Sequence, residues 1–449
     1  MGKLFGTDGI RGVANRSPMD AMMAFSVGQA VTHLLKKEGR RARIIIGKDT
    51  RISGYMLESA LESGITSMGG SPYLVGVLPT PGIAFITESM RAHAGIVISA
   101  SHNPFQDNGI KIFGGNGYKL SDEQEDVIEK LILEGKLAEK VPPPQQMGQA
   151  FRIDDVHGRY IVFLKNTFPR DLSMEGMKIV MDTANGATYR VAPETFTELG
   201  ARLDAIHNTP NGVNINDRCG SQHTEDLRKA VLEKGADVGL AFDGDGDRLI
   251  AVDEKGREMT GDQILVICAR MLKEQGRLKN DLLVSTIMSN LGLMVACRKY
   301  GFRHHAAKVG DRYVLEDMLR LGGVLGGEES GHVIFLDHHT TGDGILTAIQ
   351  LIAAMLRAGK PLSELGRWMD VFPQKLINVE VKSKPDISTL PRVSEAIRDA
   401  EAALKDQGRV LVRYSGTQNM CRVMVEGPTD EETQKYCLLV ADAVRTSIG

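Results

Sequence analysis

Arg43-Ile44-Ile45-Ile46-Gly47-Lys48-Asp49-Thr50-Arg51 runs from a short apolar stretch into a turn marked by glycine and charge. An apolar run of this length, bounded by turn residues, reads as a strand. Its company along the chain is an amphipathic helix from Met56 to Met68, a strand from Pro72 to Val77, the turn Pro79-Thr80-Pro81, a helix, and a strand from Gly95 to Ile98. Strands alternating with helices predict a parallel α/β sheet.

Outward from there, a helix is expected from Ser121 through Leu137, opened by Ser121 with Gln124 three residues on, as in a capping box. Pro142 to Gln146 reads as a linker. A second α/β block begins with the strand Lys178 to Met181 and ends near the strand Val238 to Phe242, preceded by a helix from Thr224 to Lys234. A third, helix-rich block from about Gly261 to Met369 carries the strand Leu282 to Thr286. In the blocks, apolar strands finish in glycine- and aspartate-rich loops, Gly47 to Arg51, Asp182-Thr183-Ala184-Asn185-Gly186 and Asp243-Gly244-Asp245-Gly246-Asp247, which suggests a weak internal repeat. From Val371 the pattern changes to a strand (Ile377 to Val381), a helix (Val393 to Lys405), two strands (Val410 to Tyr414, Arg422 to Glu426) and a last helix, a small α+β domain. Expected domains are therefore 1–150, 151–255, 256–370 and 371–449.

A chain of 449 residues is too long for one core, and 42% hydrophobic with 25% charged residues suffices to fold several. The 54 Lys and Arg nearly balance 57 Asp and Glu, without the charge runs of a nucleic-acid or membrane surface. The densest basic cluster, Lys36, Lys37, Arg40, Arg41 and Arg43, is interrupted by Glu38 and reads as a solvated turn. Five scattered cysteines (219, 268, 297, 421, 437) form no Cys-x-x-Cys pair and fit a reducing compartment. The apolar helical stretch Ile345 to Leu356 contains Gln350 and is too short to span a bilayer. A cytoplasmic protein is expected.

Four loops carry chemistry. Ser99-Ala100-Ser101-His102-Asn103-Pro104 places a hydroxyl just past the strand Gly95 to Ile98, at the edge of a sheet where α/β folds keep reactive groups, and Lys111 lies on the probable return of a hairpin. Asp243, Asp245 and Asp247, spaced by glycines, converge three carboxylates that would repel without a cation. An EF-hand loop would need glycine where Arg248 stands, so magnesium facing a phosphate fits best. Arg413-Tyr414-Ser415-Gly416-Thr417, with Arg422 on the next strand, describes an anion cradle. Gly327-Glu328-Glu329-Ser330-Gly331-His332 adds acids that can accept from sugar hydroxyls or an amine; His332 is open between an acid/base and a structural role. The pairs His304-His305 and His338-His339 read as surface residues rather than zinc ligands.

With Phe5-Gly6-Thr7-Asp8-Gly9-Ile10-Arg11-Gly12, these loops resemble, in order and over the whole chain, the five signature segments of the α-D-phosphohexomutase superfamily. Gly212-Val213-Asn214-Ile215-Asn216 and Cys219-Gly220-Ser221 are most similar to its glucosamine-phosphate branch. The resemblance implies three similar mixed α/β domains plus a distinct C-terminal α+β domain around a central cleft. It implies interconversion of glucosamine 6-phosphate and glucosamine 1-phosphate, on the route to UDP-N-acetylglucosamine, through phosphorylated Ser101 and a 1,6-bisphosphate that serves as intermediate or activator. Mg²⁺ would bind Ser101, Asp243, Asp245 and Asp247. Arg11, Arg248 and His102 would steady the phosphoryl group, Lys111 and His332 assist proton transfer, and Glu328 and Ser330 hold the sugar. Arg413, Ser415, Gly416, Thr417 and Arg422 would grip the other phosphate. The implied partner is a small hexosamine phosphate, with neither nucleic acid nor membrane, and a homodimer is left open. Gln418 and Asn419 depart from the superfamily's usual Glu-Pro, and Glu329 stands where the glucosamine branch commonly has Gln. Glucose or mannose phosphate as substrate, and a non-catalytic sugar-phosphate binder, are the alternatives.

Overall fold

The computed structural model describes residues 4–6, 8–36, 41–415 and 419–449. Its chain forms two compact units, Met1–Ile287 with Arg303–Gly366, and Met288–Phe302 with Arg367–Gly449.

The first unit holds three sheets. In the six-stranded sheet the spatial order is Ile10–Val13, Asp107–Gly114, Ala94–Ile98, Arg43–Lys48, Ser71–Val77, Phe151–Arg152. Arg43–Lys48 lies in the middle, parallel to both neighbours, and Ile44, Ile45 and Ile46 are buried. That explains an apolar run without alternation, since helices cover both faces of a parallel sheet. The basic cluster follows a helix, Ala21–Leu35, which packs on Ser53–Ser67, and glycines permit the approach: a Cβ on Gly64 would lie 2.1 Å from the Phe25 carbonyl oxygen.

The five-stranded sheet runs Glu258–Met259, Leu249–Asp253, Val238–Phe242, Lys178–Asp182, Arg202–Ile206, and the four-stranded one Arg303–Ala307, Leu282–Thr286, Leu325–Gly327, Val333–Phe335. The suspected repeat is visible here as topology. In all three sheets four successive strands take the spatial order fourth, third, first, second; the first three are mutually parallel and the fourth returns antiparallel beside the third. The hairpins from third to fourth strand are the Ser101, Asp243 and Glu328 loops. Repeated architecture thus delivers each loop from the same place in its own sheet.

Ser121 caps Asp122–Leu133 in a capping box as expected, but the helix stops four residues before Leu137 because Gly135 turns left-handed (φ 66°). His339 corrects the surface reading of the histidine pairs: it is buried, bonds the Pro81 carbonyl through Nε2 (2.8 Å) and accepts from the Thr340 N–H at Nδ1 (2.8 Å), and burial lowers its pKa to about 4. His304 and His305 are half-buried, paired with Ser285 Oγ and Asp317 Oδ2, each at 2.8 Å. Residues 37–40 of the basic cluster lie outside the described residues; Arg41 and Arg43 are exposed.

The second unit has an antiparallel sheet ordered Gln374–Glu380, Met420–Glu426, Arg409–Tyr414, with Pro391–Leu404 and Asp430–Ile448 packed on it through Val393, Ala400, Val423, Val440 and Val444. The helix Leu291–Tyr300 groups with this unit, its Leu291 N–H donating to buried Glu426 Oε2 at 3.0 Å. Among the described residues no single helix is long and apolar enough to cross a membrane.

Candidate active site

Ser101 cannot extend the strand Ala94–Ile98 because its backbone is left-handed (φ 53°), a conformation costly for serine unless its surroundings impose it. The turn from Gly47 to Arg51 supplies part of that constraint. Arg51, fully buried, donates to the carbonyls of Ser101 (2.9 Å), Asn103 (2.8 Å) and Pro104, and its Nε to Asp49 Oδ2 (2.9 Å). Ser99 Oγ donates to the same Asp49 oxygen at 2.6 Å and accepts the Ser101 N–H at 2.9 Å. Burial raises the Asp49 pKa, against the pull of Arg51.

The Ser101 hydroxyl donates to Asp243 Oδ2 at 2.6 Å and lies 3.3 Å from His102 Nδ1. Asp243, Asp245 and Asp247 are buried, each offering an oxygen within 4.8 Å of the others. Asp245 Oδ2 accepts from Thr80 Oγ1 (2.7 Å) and Lys111 Nζ (3.0 Å); the Oδ1 atoms of Asp245 and Asp247 have no hydrogen-bond partner among the described residues. Glycine is required between the acids, since a Cβ on Gly244 would stand 2.6 Å from the Ser101 carbonyl oxygen. Burial, then Asp247 and Asp245, push the Asp243 pKa well above the carboxylate range. An all-oxygen set with unpaired lone pairs and mutual repulsion suits a hard divalent cation.

Burial disfavours charge on Lys111, but Asp245, Asp8 and Asp247, at 3.0, 3.2 and 3.7 Å, outweigh it and hold the ammonium protonated. This suits charge stabilisation better than the proton transfer expected from sequence. His102 is opposite: burial, then Arg248 and Arg11, lower its pKa to about 4, so it is neutral at physiological pH. Arg11 donates to the Ala100 carbonyl (3.2 Å) and pairs with Asp8, while the Arg248 backbone N–H donates to Asp243 Oδ1 (3.2 Å); the Nε of both arginines has no hydrogen-bond partner among the described residues. His332 lies between Asp247 (3.6 Å) and Asp311 (3.7 Å), whose charges, with that of Glu328, overcome burial and raise its pKa. Gly342 makes room for its ring. Glu328 Oε1 accepts the Gly310 N–H at 3.0 Å, and the buried Ser330 hydroxyl has no partner among the described residues.

Sequence reading missed Asp8, Lys119 and Asp311. Lys119 Nζ bridges Asp8 Oδ1 and Asp311 Oδ2 at 2.6 Å each, joining residues 111 and 192 positions away. It also missed a second cluster with metal-ligating chemistry, Asp182, His207 and Cys219. Asp182 already accepts from Ala184 N (2.8 Å), Gly220 N (2.9 Å) and His207 Nδ1 (2.9 Å), and burial pushes the Cys219 thiol up to about 12. These bonds make it a loop brace.

In the second unit Arg413 and Arg422 are directly opposed on neighbouring strands. Burial, then Arg422, lowers the Arg413 pKa; Arg422 Nε and the Tyr414 hydroxyl have no partner among the described residues. Ser415 N–H donates to Met420 O at 2.8 Å, while Gly416, Thr417 and Gln418 lie outside the described residues.

Models of the phosphoglucomutase/phosphomannomutase α/β/α domains I, II and III match residues 2–139, 158–256 and 260–371, and that of the C-terminal domain matches 376–443. The chain belongs to this family. The similar fold extends to a phosphoglucomutase/phosphomannomutase family protein of Burkholderia thailandensis (TM-score 0.82, 23% identity, 99% of this chain and 97% of that one). It extends also to an N-acetylphosphoglucosamine mutase of Aspergillus fumigatus, crystallised with GlcNAc-6P and magnesium (TM-score 0.68, 17% identity, 99% and 96%). Relatives named phosphoglucosamine mutase, from Syntrophobacter fumaroxidans (84% identity) and Syntrophus aciditrophicus (63%), align over the full length of both chains, which places this chain among the bacterial phosphoglucosamine mutases.

Proposed function

We propose that the protein interconverts glucosamine 6-phosphate and glucosamine 1-phosphate through a phosphate carried on Ser101. The observation that carries this is a serine hydroxyl 2.6 Å from a buried three-aspartate cluster with unpaired oxygens, in a chain 84% identical over its full length to a phosphoglucosamine mutase.

In the first half-reaction the bond from phosphorus to Ser101 Oγ breaks and one to the free sugar hydroxyl forms, giving a 1,6-bisphosphate and free serine. In the second, the other phosphoryl group returns to Ser101, so atoms balance and the net change is an isomerisation. Positioning and charge stabilisation dominate such transfers. Asp243, Asp245 and Asp247 with Ser101 would hold Mg²⁺, which when bound neutralises charge on the phosphoryl oxygens. Lys111 is a fixed positive charge beside it. Arg11 and Arg248 offer donors to the phosphoryl group. In the first half-reaction the sugar hydroxyl gives up a proton and Ser101 Oγ gains one, and in the second the transfer reverses; His102, 3.3 Å from Oγ, and His332 are placed to assist at the two ends. Glu328 and Ser330 hold the sugar, and Arg413, Ser415, Gly416, Thr417 and Arg422 hold the phosphate that is not reacting.

Residues 1–150 would then carry the phosphoserine, 151–255 the metal aspartates, 256–370 the sugar contacts and 371–449 the second phosphate site. Five free, buried thiols fit the reducing cytoplasm. Initial rates for glucosamine 1-phosphate, glucose 1-phosphate and mannose 1-phosphate, with Mg²⁺ and one 1,6-bisphosphate activator, test the substrate. The kcat/KM for glucosamine phosphate should lead by about tenfold or more, the range a few polar contacts supply. Equal or faster turnover of glucose or mannose phosphate would overturn that assignment.

A further inference from the structure

The segment most similar to the glucosamine branch, Gly212 to Asn216, invites the idea that it reads the sugar. Its bonds point elsewhere. The Asn216 side-chain amide donates to the carbonyls of Ser101 (2.8 Å) and Asn103 (2.9 Å), the two oxygens that Arg51 also serves, at 2.9 and 2.8 Å. The Asn216 N–H donates to Ala184 O at 2.9 Å. Asn214 is committed locally, donating to Thr209 O (3.1 Å) and accepting from Asn211 N (2.9 Å). Ile215 is buried, its Cδ1 2.8 Å from where a Cβ on Gly244 would be, and that same Cβ would lie 2.7 Å from the Asn216 amide. Asn216 therefore stands where the Ser101, Asp243 and Asp182 loops meet. Its own backbone is left-handed (φ 58°), a conformation asparagine tolerates better than most residues.

We propose that Asn216 is a positioning residue for phosphoryl transfer, holding the Ser101 loop in its left-handed conformation from the neighbouring α/β block and so setting turnover rather than sugar choice. Arg51 and Ser99 tie the loop to its own sheet. Asn216 ties it, through its own N–H on Ala184 O, to the Asp182 loop, whose Ala187 N–H in turn donates to Gly244 O (2.8 Å) between the aspartates, and so sets Ser101 Oγ relative to Asp243. Small misplacements of a reacting atom are costly to rate and cheap to binding.

The inference rests on the mutase reading, and the test separates the two. Asn216→Gly keeps the left-handed backbone and removes the amide; Asn216→Asp keeps the shape but presents a carboxylate to two carbonyl oxygens. Both should lower kcat by about ten- to a hundredfold, as loss of an outer orienting group does, with KM within about twofold. The fall should be the same for glucosamine 1-phosphate and glucose 1-phosphate. Hydrogen exchange over residues 99–108 should accelerate in both variants, a readout that needs no activity. Unchanged kcat and exchange, or an aspartate variant equal to wild type, would overturn the role, and a changed ratio between the two sugars would return the segment to specificity. A wild-type protein without mutase activity would instead remove the reading beneath it, while the exchange result would still decide whether Asn216 holds the loop.

Discussion

The Ser101 region of the first unit and the Arg413 region of the second gather opposite charges, carboxylates in one and guanidiniums in the other. Around Ser101 the backbone is pinned by Arg51 and Ser99 and Asp245 Oδ2 is shared by Thr80 and Lys111, while three carboxylates converge with the Oδ1 atoms of Asp245 and Asp247 unpaired among the described residues. Around Arg413 the surplus is positive, two guanidiniums facing each other across adjacent strands. A group that must hold a reacting atom benefits from pre-payment of its entropy. A group that grips a phosphate in two alternative substrate orientations needs charge and donors more than a single geometry. Each region keeps like charges together, three carboxylates in one and two guanidiniums in the other.

The sharpest break of this comparison is Ser101→Ala. As a covalent relay, Ser101 should be indispensable to turnover, with a loss of about 10⁴-fold or more, while glucosamine 6-phosphate still binds. A mutase assay with direct binding measurement checks both halves; substantial turnover would eliminate the phosphoserine route. Next in size is Asp245→Asn. Removing one of three repelling carboxylates should weaken Mg²⁺ binding by at least about tenfold and lower kcat. Thermal stability without Mg²⁺ should fall, because the buried Lys111 ammonium loses its nearest carboxylate, a loss that exceeds the relief of repulsion among the acids, and the stabilisation Mg²⁺ confers on wild type should shrink. A magnesium titration of activity and of unfolding temperature reads all of this, and unchanged dependence would place the metal elsewhere.

Much of the first region was legible in sequence because its chemistry is contiguous. A serine, three aspartates and an acidic Gly-rich loop each occupy a few residues after an apolar strand, and hairpin connections bring the loops out at matching places in three sheets. Lys111 was legible too, since an antiparallel return strand opposite Ala94–Ile98 carries it back toward the loop. What could not be read is what holds these groups. Asp49 and Arg51 looked like ordinary turn residues, although a charged pair two apart at the end of a buried strand was a signal. Lys119 with Asp311, and Asn216 with Ser101, join distant positions and leave no local pattern. Nor could periodicity show that Leu291–Tyr300 would group with the last unit, because that depends on a buried carboxylate, Glu426, more than a hundred residues away.

The second region is best probed by Arg413→Ala, for which affinity and stability should move in opposite directions. In wild type the guanidinium faces Arg422 in register, and like charges directly opposed on adjacent strands oppose pairing by a fraction of a kcal/mol, about 0.2–1. Removing one should leave the ligand-free protein as stable or slightly more stable. The phosphate complex should lose a charge-assisted hydrogen bond, of about 1.5–3 kcal/mol, so KM should rise by about ten- to a hundredfold. That rise should appear for glucosamine 1-phosphate and glucosamine 6-phosphate alike, because one cradle must receive whichever phosphate is not reacting. Unfolding scans with and without inorganic phosphate supply the control: the rise in melting temperature that phosphate gives wild type should fall away in the variant. A defect confined to one isomer would contradict a shared cradle. A marked loss of stability without phosphate would mean that Arg413 supports the sheet, and that the opposed pair is compensated by the protein itself rather than held ready for an anion.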